Sequence, residues 1–226
     1  MFLYIVATPI GNLEDITQRA LRILKEVDLI LCEDTRKSGI LLKHYGIETP
    51  KKSYRIHHIK EDTGFAIEKL KAGQNLALIT DAGTPGISDP GSYLVRSVRE
   101  SLPEVKIIPV PGPSALAGAL SVSGFQANPS VFAGFLSPKE GRRREALHRM
   151  KEFEGCVILY ESVHRIERLL REIREILPER DIFIAREITK VYEEYIFIPH
   201  KENLETLSGK FVKKGEFTVI IGPQSK

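Results

Sequence analysis

Residues 76–91 read Leu-Ala-Leu-Ile-Thr-Asp-Ala-Gly-Thr-Pro-Gly-Ile-Ser-Asp-Pro-Gly. The short apolar run at 76–80 predicts a buried β-strand. Glycine and proline supply five of the next eleven residues, in a chain with 17 glycines and 13 prolines among 226 residues. Glycine lets the backbone approach a ligand closely, and proline stiffens the path. Since ordinary turns are roughly two to five residues long, the sequence favours a small-molecule binding loop at 81–91 over a plain turn.

Short apolar runs alternate with longer amphipathic runs on both sides of this strand. The predicted strands of the first half are 2–7, 29–32, 53–59, 76–80 and 105–110. The predicted helices are 16–27 (with Asp15 as N-cap), 35–45, 65–72, 92–101 and 114–122. Strands that alternate with helices predict an α/β fold in which helices cover both faces of a mostly parallel sheet.

The second half of the chain has a different pattern. Its predicted strands are 131–134, 156–160, 182–185, 191–198 and 217–221, and its predicted helices are 143–153 and 162–176. The last two strands follow each other without an intervening helix, which predicts some antiparallel pairing and therefore a mixed sheet. The Pro111-Gly112-Pro113 segment marks the boundary. We expect an N-terminal α/β domain at 1–111, a C-terminal mixed α/β domain at 112–226, and a ligand cleft between the two lobes.

The bulk composition narrows the class of protein. Hydrophobic residues make up 42% and charged residues 28% of the chain, which is a globular composition. Cys32 and Cys156 lie in apolar runs, which predicts buried thiols in a reducing compartment and offers no zinc spacing. The sequence shows neither a signal peptide nor a membrane-length apolar run, so we expect a cytoplasmic protein without a membrane partner. A net charge of +3 permits a nucleic-acid partner without requiring one.

Four loops directly follow predicted strands, at the edge where parallel sheets bind ligands. They are 8–12, 33–36, 81–91 and 109–115. The sequence has no G-x-G-x-x-G after the first strand, no G-x-x-x-x-G-K-[ST] and no G-x-S-x-G. These absences argue against a conventional dinucleotide site, a P-loop nucleotidase and a serine hydrolase.

Five motifs in register carry a resemblance to a known family. They are TPIGNL (8–13), EDTR (33–36), TDAGTPGISDPG (80–91), PVPGPSA (109–115) and YESVHR (160–165). Together they resemble the tetrapyrrole-methylase superfamily and, within it, the ribosomal RNA small-subunit methyltransferase I family. The resemblance implies binding of S-adenosylmethionine between two α/β lobes, 2′-O-methylation of a cytidine of 16S rRNA in the small ribosomal subunit, and a homodimer. Many members of the family carry an extra C-terminal helical segment, and we expect this chain, which stops at Lys226, to lack the RNA contacts of that segment.

The resemblance also implies which residues contact the cofactor. In the first lobe and at the start of the second they are Pro9, Asp81, Gly83, Ile87, Ser88, Ser114 and Ala115. Further along the second lobe they are Tyr160, Ala185 and Thr218. For Ala185 and Thr218, ordinary sheet packing is an equal alternative. Ser114 opens a predicted helix, where capping and ligand contact are compatible.

The turn at 33–36 places two carboxylates and a guanidinium together. Helix capping by Asp34 is one interpretation, and substrate handling is the other. A ribose hydroxyl must lose a proton when it is methylated, which calls for a general base. The catalytic candidates are Glu33, Asp34, Arg36, Glu161 and Glu187, and position alone does not rank the carboxylates.

The densest basic run lies at 139–151. Its RNA-binding candidates, with one arginine from the YESVHR motif, are Lys139, Arg142, Arg143, Arg144 and Arg165. A solvated helix face is the alternative, but phosphate contacts dominate RNA affinity, and we favour that interpretation. His57, His58, Glu61 and Asp62 have i,i+4 spacing, yet a break between strand and helix there argues against a metal site. We predict no metal and favour a polar loop near the RNA.

Two other functions remain open on sequence grounds. A methylase of a tetrapyrrole or of another small molecule would use the same fold, and fold alone does not separate the two. A non-catalytic RNA-binding factor in ribosome assembly belongs to a different class. Loss of all affinity for S-adenosylmethionine would identify the latter.

Overall fold

The computed structural model describes residues 1–202 and 214–224. It divides into two compact units, Met1–Ser114 and Ala115–Lys226, which we call unit 1 and unit 2. The division falls in the same Pro/Gly-rich segment as the predicted boundary after residue 111.

Unit 1 alternates strands and helices along its whole length. Its strands are β1 (Phe2–Val6), β2 (Leu29–Cys32), β3 (Lys51–Ser53), β4 (Leu76–Ile79) and β5 (Lys106–Val110). Its helices are α1 (Gln18–Glu26), α2 (Thr35–His44), α3 (Ile59–Lys71) and α4 (Gly91–Ser101). The strands form one all-parallel sheet in the order β3-β2-β4-β1-β5. This confirms the predicted parallel sheet.

The two faces of this sheet are covered by different helices. Alternate residues of the central strands point to opposite sides, so Ile30 and Ile79 pack with α1 and α2 while Leu31 and Leu78 pack with α3 and α4. All residues of β2 and β4 are buried. The continuous apolar runs of these strands follow from this burial on both faces.

Two local predictions in unit 1 are wrong. The predicted strand 53–59 is only β3, which ends at Ser53 and is followed by a 3₁₀ turn at Ile56–His58 and then by α3. Helix α1 is capped by Thr17, whose Oγ1 accepts a hydrogen bond from the Ala20 N–H at 3.1 Å, and not by Asp15. Asp15 instead ends a short 3₁₀ helix that precedes the cap.

Unit 2 contains a mixed sheet, as predicted. Its strands are β6 (Ser130–Phe135), β7 (Cys156–Ser162), β8 (Ile182–Arg186), β9 (Glu194–Ile198) and β10 (Glu216–Ile221). Its helices are α5 (Ala115–Val122), α6 (Glu140–Arg149) and α7 (Ile166–Ile176). The strand order is β6-β7-β10-β8-β9, in which β6 and β7 are parallel and the other neighbours are antiparallel.

The two faces of the second sheet have different covers. Helices α6 and α7 pack on the face that includes Val157, Leu159 and Val219. Helix α5 packs on the opposite face, over Ile158, Ala185 and Ile220. No helix within the described residues is long and apolar enough to cross a membrane.

Candidate active site

The four loops predicted to carry the chemistry all leave the carboxyl edge of the parallel sheet of unit 1. The loops after β1 and β4 are joined by a two-way bridge, in which the Thr8 N–H donates to the Gly83 carbonyl at 2.9 Å and the Gly83 N–H donates to the Thr8 carbonyl at 3.0 Å. The Thr8 hydroxyl also donates to the Thr80 carbonyl at 3.0 Å. The loop after β5 is tied in because the Thr84 hydroxyl donates to the Pro113 carbonyl at 3.2 Å.

Asp81 connects the loop after β4 to the turn after β2. Its Oδ1 accepts the Asp34 backbone N–H at 3.2 Å, and its Oδ2 accepts the Lys37 ammonium at 2.8 Å. The neighbouring Thr80 hydroxyl donates to the Glu33 carboxylate at 3.2 Å. Lys37 is absent from the residues predicted from the sequence, although its position in the first turn of α2, one turn after Asp34, places it on the same side of the helix start. Four loops from distant parts of unit 1 thus form one hydrogen-bonded rim.

The carboxylates of the 33–36 turn have different surroundings. Asp34 caps α2 by accepting the Arg36 backbone N–H at 2.8 Å, and it also pairs with the Arg36 guanidinium at 3.0 Å. These bonds to Arg36 lower the pKa of Asp34 from 3.8 to about 2. Glu33 is exposed and accepts the hydrogen bond from Thr80. Both the capping and the substrate-handling interpretations of this turn are therefore compatible with the structure, because different side chains carry them.

The 81–91 loop is shaped by Asp89. Its carboxylate accepts the N–H groups of Gly86 and Gly91, each at 2.8 Å from Oδ1. A Cβ at Gly91 would lie 2.9 Å from both Asp89 Oδ1 and Gly86 N, so only glycine fits where α4 begins. The side chains of Ile87 and Ser88 are exposed at the tip of the loop.

The remaining cofactor candidates of unit 1 are less open. Pro9 and Gly83 are buried. Gly83 has a positive φ of 84°, and both its backbone N–H and its carbonyl are hydrogen-bonded to Thr8. We infer that these two residues shape the rim. Ser114 is half-buried at the end of the loop that Thr84 holds.

The candidates of unit 2 form a row across its sheet. Thr218 on β10 pairs with Tyr160 on β7 and with Ala185 on β8, so the three residues lie side by side. The Tyr160 hydroxyl accepts the N–H of Leu116 at 3.1 Å, in the first turn of the helix that Ala115 begins. Burial raises the pKa of Tyr160. The structure thus groups residues from α5 and three strands, and their contact with a cofactor stays a prediction.

Glu161 is a poor candidate for accepting a proton from a substrate. Its side chain is 0% exposed, and it lies 3.1 Å from the Arg165 guanidinium. Arg165 also donates to the Leu136 carbonyl at 2.6 Å. The pair instead fixes the segment that leads into α6, and Arg165 is turned toward this network.

Glu187 lies in a turn with unusual backbone geometry. Glu187 and Thr189 have positive φ angles of 50° and 67°. Burial alone would raise the pKa of Glu187, but hydrogen bonds from the Lys190 ammonium at 2.8 Å and the Glu216 N–H at 2.9 Å lower it. A carboxylate held in this way is ionised and a weak base.

The structure corrects part of the predicted RNA-binding set on α6. Arg143 is buried, and its guanidinium makes two bonds to Glu172, at 2.5 and 2.6 Å, and two to the carbonyls of Ser137 and Pro138. It is therefore unavailable to a phosphate, and its assignment as an RNA contact is wrong. Arg144 makes two bonds to Glu175, at 2.8 and 2.7 Å. Lys139 and Arg142 are exposed and stay candidates.

The His57/His58 segment forms no metal cluster. Among the described residues, no group of three or more His, Cys, Asp and Glu side chains is placed to hold a metal ion. His58 pairs with Glu61 at 3.2 Å, whereas Asp62 accepts the backbone N–H of Arg55 at 3.1 Å.

Comparison with known proteins places the chain in a family. It is 45% identical over 224 residues to the protein named Ribosomal RNA small subunit methyltransferase I of Leptospira biflexa, covering 99% of this chain and 92% of that protein. The chain belongs to the ribosomal RNA small subunit methyltransferase I family. The protein of the same name from Thermotoga maritima is 44% identical, covering 97% of each chain. Residues 2–203 also match the family model described as Tetrapyrrole (Corrin/Porphyrin) Methylases.

Solved structures agree on the fold. The methyltransferase CobJ superposes with a TM-score of 0.70 at 17% identity, covering 98% of this chain and 94% of that one. Uroporphyrin-III C-methyl transferase from Thermus thermophilus, complexed with S-adenyl homocysteine, gives a TM-score of 0.65 at 19% identity, covering 98% and 97%. At these identities the likeness concerns the fold, and it confirms the predicted tetrapyrrole-methylase-like architecture.

Proposed function

We propose that this chain is an S-adenosylmethionine-dependent methyltransferase that modifies the ribose 2′-oxygen of a cytidine in the 16S rRNA of the small ribosomal subunit. The observation that carries the proposal is the hydrogen-bonded rim at the carboxyl edge of unit 1, with Asp81 at its centre. It occurs in a chain whose relatives at 45% and 44% identity bear the name of an rRNA methyltransferase.

The residues of the rim fit a nucleoside-bearing cofactor. Each Asp81 oxygen accepts one hydrogen bond within the chain, and a carboxylate oxygen has capacity for a second, from a ribose hydroxyl or an amine. The exposed Ile87 side chain, 45% accessible, and the exposed Ser88 hydroxyl add an apolar and a polar contact on the same loop. The rim is fixed before binding, which lowers the entropic cost of holding a ligand.

When bound, S-adenosylmethionine supplies an electrophilic methyl group to an attacking oxygen. The task of the protein is to position that oxygen and to take its proton. We assign the proton acceptor to Glu33, which is exposed and adjoins Asp81 through Thr80. Asp34, with a pKa of about 2, is too weak a base, and Glu161 is fully buried.

The charged side chains around the rim suit an RNA substrate. The side chain of Arg36 is 90% exposed although it pairs with Asp34, so it can reach a phosphate without losing that pair. Lys139 and Arg142 on unit 2 are further phosphate contacts in this proposal. We include in it a homodimer, which light scattering would test, and a cytoplasmic location, where ribosomal subunits are found.

A methyl-transfer assay tests the proposal directly. The purified chain is incubated with S-adenosylmethionine labelled in its methyl group and, separately, with small ribosomal subunits, naked 16S rRNA and uroporphyrinogen. We expect label on the rRNA, located at a ribose by nuclease digestion. Label only on uroporphyrinogen would support the tetrapyrrole alternative, and cofactor binding without label on any of the three would contradict the proposed substrate.

Calorimetric titration with S-adenosylmethionine tests the role of the rim. Asp81→Asn should weaken binding about 10- to 100-fold, because a hydrogen bond to a charged group is lost. Asp28→Asn is the matched control, since Asp28 accepts the Asn75 N–H at 2.7 Å at the amino edge of the same sheet. Equal affinities for the two variants would remove Asp81 from the cofactor site.

A further inference from the structure

Strand β3 and the turn that follows it are rich in basic residues. Residues 51–60 contain Lys51, Lys52, Arg55, His57, His58 and Lys60, and they contain no Asp or Glu. The sequence favours a polar loop near the RNA over a metal site here, and the structure shows which side chains of the segment are exposed.

The pairing of β3 with β2 fixes where the segment lies. The two strands are parallel, with Cys32 opposite Ser53, and the Tyr54 N–H donates to the Cys32 carbonyl at 2.8 Å. The chain therefore leaves β3 at the same edge, and beside the same strand, as the Glu33–Lys37 turn. Residues Arg55–His58, which we call the 55–58 turn, therefore lie at the same edge of the sheet as the turn that carries the proposed proton acceptor.

Hydrogen bonds within unit 1 hold the backbone of the 55–58 turn in place. The Tyr54 side chain is 1% exposed, and its hydroxyl bonds to Thr63 Oγ1 at 2.9 Å. Asp62 accepts the Arg55 N–H at 3.1 Å, and the His58 N–H donates to the Arg55 carbonyl at 3.1 Å. A turn held in this way presents its side chains without a large ordering cost on binding.

The side chains of the turn face solvent. Arg55, Ile56, His57 and His58 are all exposed, and Ile56 is 64% accessible. In residues 1–202 and 214–224, neither Arg55 nor His57 takes part in an ion pair, whereas His58 pairs with Glu61. An unpaired guanidinium beside an imidazole and an exposed aliphatic side chain is a combination that suits single-stranded RNA, where cations bind phosphates and flat or apolar groups pack on splayed bases.

We propose that the 55–58 turn is an RNA-contact surface of unit 1, with Arg55 on a phosphate and Ile56 and His57 against a base or a ribose near the methylated nucleotide. This inference rests on the proposed function, because it names a surface for the same RNA. An anionic membrane is the other polyanion with matching charge. A single exposed aliphatic side chain offers too little apolar area for stable insertion into lipid. The turn also lies at the same sheet edge as Glu33, the proposed proton acceptor, which favours RNA as the partner.

RNA binding measured at several salt concentrations tests this surface. The probes are 16S rRNA and small ribosomal subunits that lack the methyl group, with the full chain as wild type, Arg55→Ala, His57→Ala and Ile56→Ser. We expect Arg55→Ala to weaken binding about three- to tenfold and to lower the slope of log affinity against log salt by about 1. His57→Ala and Ile56→Ser should each weaken binding about fivefold with an unchanged slope, since they remove packing and no full charge.

Arg99→Ala is the matched control, because Arg99 is exposed in the last turn of α4, at the opposite edge of the sheet. Affinity for S-adenosylmethionine and the far-ultraviolet circular dichroism spectrum should be unchanged in all variants. If wild type binds RNA and Arg55→Ala behaves as Arg99→Ala does, the inference is overturned while the proposed function stands. Failure of wild type to bind either RNA probe would overturn both. Binding to phosphatidylserine vesicles that Arg55→Ala alone abolishes would overturn RNA as the partner.

Discussion

The start of α2 and the helix α6 both carry adjacent basic residues, but their charges are used in opposite ways. At α2 the side chains of Arg36 and Lys37 are 90% and 67% exposed, although Arg36 pairs with Asp34 and Lys37 pairs with Asp81. On α6 the side chain of Arg143 is 2% exposed, and Arg144 is bound to Glu175 on α7. Because the basic side chains of both regions pair with carboxylates, the exposure that remains after pairing decides whether a basic side chain is open to a ligand, and that depends on residues far along the chain.

The largest effect should come from a substitution just before α2, and it should be a loss of methyl-transfer activity. Glu33→Gln removes the proposed proton acceptor and should lower the rate constant of methyl transfer about 10²- to 10⁴-fold, with little change in cofactor affinity. Single-turnover methylation of small ribosomal subunits measures it. Asp34→Asn is the control, because asparagine retains the helix cap and Asp34 is a weak base. A larger loss in Asp34→Asn than in Glu33→Gln would reverse the assignment.

Substitution of the buried arginine of α6 should lower the free energy of unfolding. Arg143→Ala leaves the Glu172 carboxylate buried without a partner, which should cost about 3–5 kcal/mol of the free energy of unfolding. Urea denaturation followed by circular dichroism measures this, since the chain has no tryptophan. Arg142 is the exposed neighbour of Arg143, and Arg142→Ala should change the free energy of unfolding by no more than about 0.5 kcal/mol. Replacing both partners, Arg143→Met with Glu172→Leu, should recover most of the loss, and similar stability of Arg143→Ala and Arg142→Ala would refute the buried pair.

RNA affinity should distinguish Arg142 from Arg144, the two arginines of α6 on either side of the buried Arg143. Arg142→Ala should weaken RNA binding about three- to tenfold and reduce the salt slope by about 1, because its charge is exposed. Arg144→Ala should change the affinity less than about twofold, since Glu175 already neutralises that guanidinium, and it should cost under about 1 kcal/mol of stability. Filter binding under matched salt conditions makes the comparison, and equal effects would show that the pair with Glu175 opens on binding.

The smallest expected effect is the loss of stabilisation by the Asp34 N-cap of α2 at low pH. The pKa of Asp34 is lowered from 3.8 to about 2 in the folded chain, so its ionised form stabilises the fold at pH above 3.8, and this contribution is lost as the pH falls toward about 2. The difference in thermal midpoint between wild type and Asp34→Asn should therefore shrink over that window. A difference that stays constant from neutral pH down to about pH 2 would contradict the charge-assisted cap.

The prediction of a strand at 53–59 failed for a reason that local pattern does not reveal. Tyr54 and Ile56 alternate with polar residues as in a strand. However, the Tyr54 hydroxyl is held to Thr63 and the Arg55 N–H to Asp62, which turns the chain into α3. The same turn exposes Ile56 and the histidines. The sequence favoured a polar loop at the histidines over a metal site, but only the fold shows that Arg55 and Ile56, which the strand prediction placed inside a sheet, belong to the same exposed turn.

The sequence by itself determined the α/β class, the division into a parallel and a mixed sheet, and the loops predicted to carry the chemistry. Apolar periodicity and Gly/Pro content are local properties, and parallel strands place their following loops at one edge, so 8–12, 33–36, 81–91 and 109–115 could be chosen without coordinates. Only the tertiary structure set Tyr160, Thr218 and Ala185 in one row, because the insertion of β10 between β7 and β8 is a long-range pairing. It also decided which charges are free: Glu172 lies 29 residues from Arg143, and the strength of an ion pair depends on distance and burial in the folded chain.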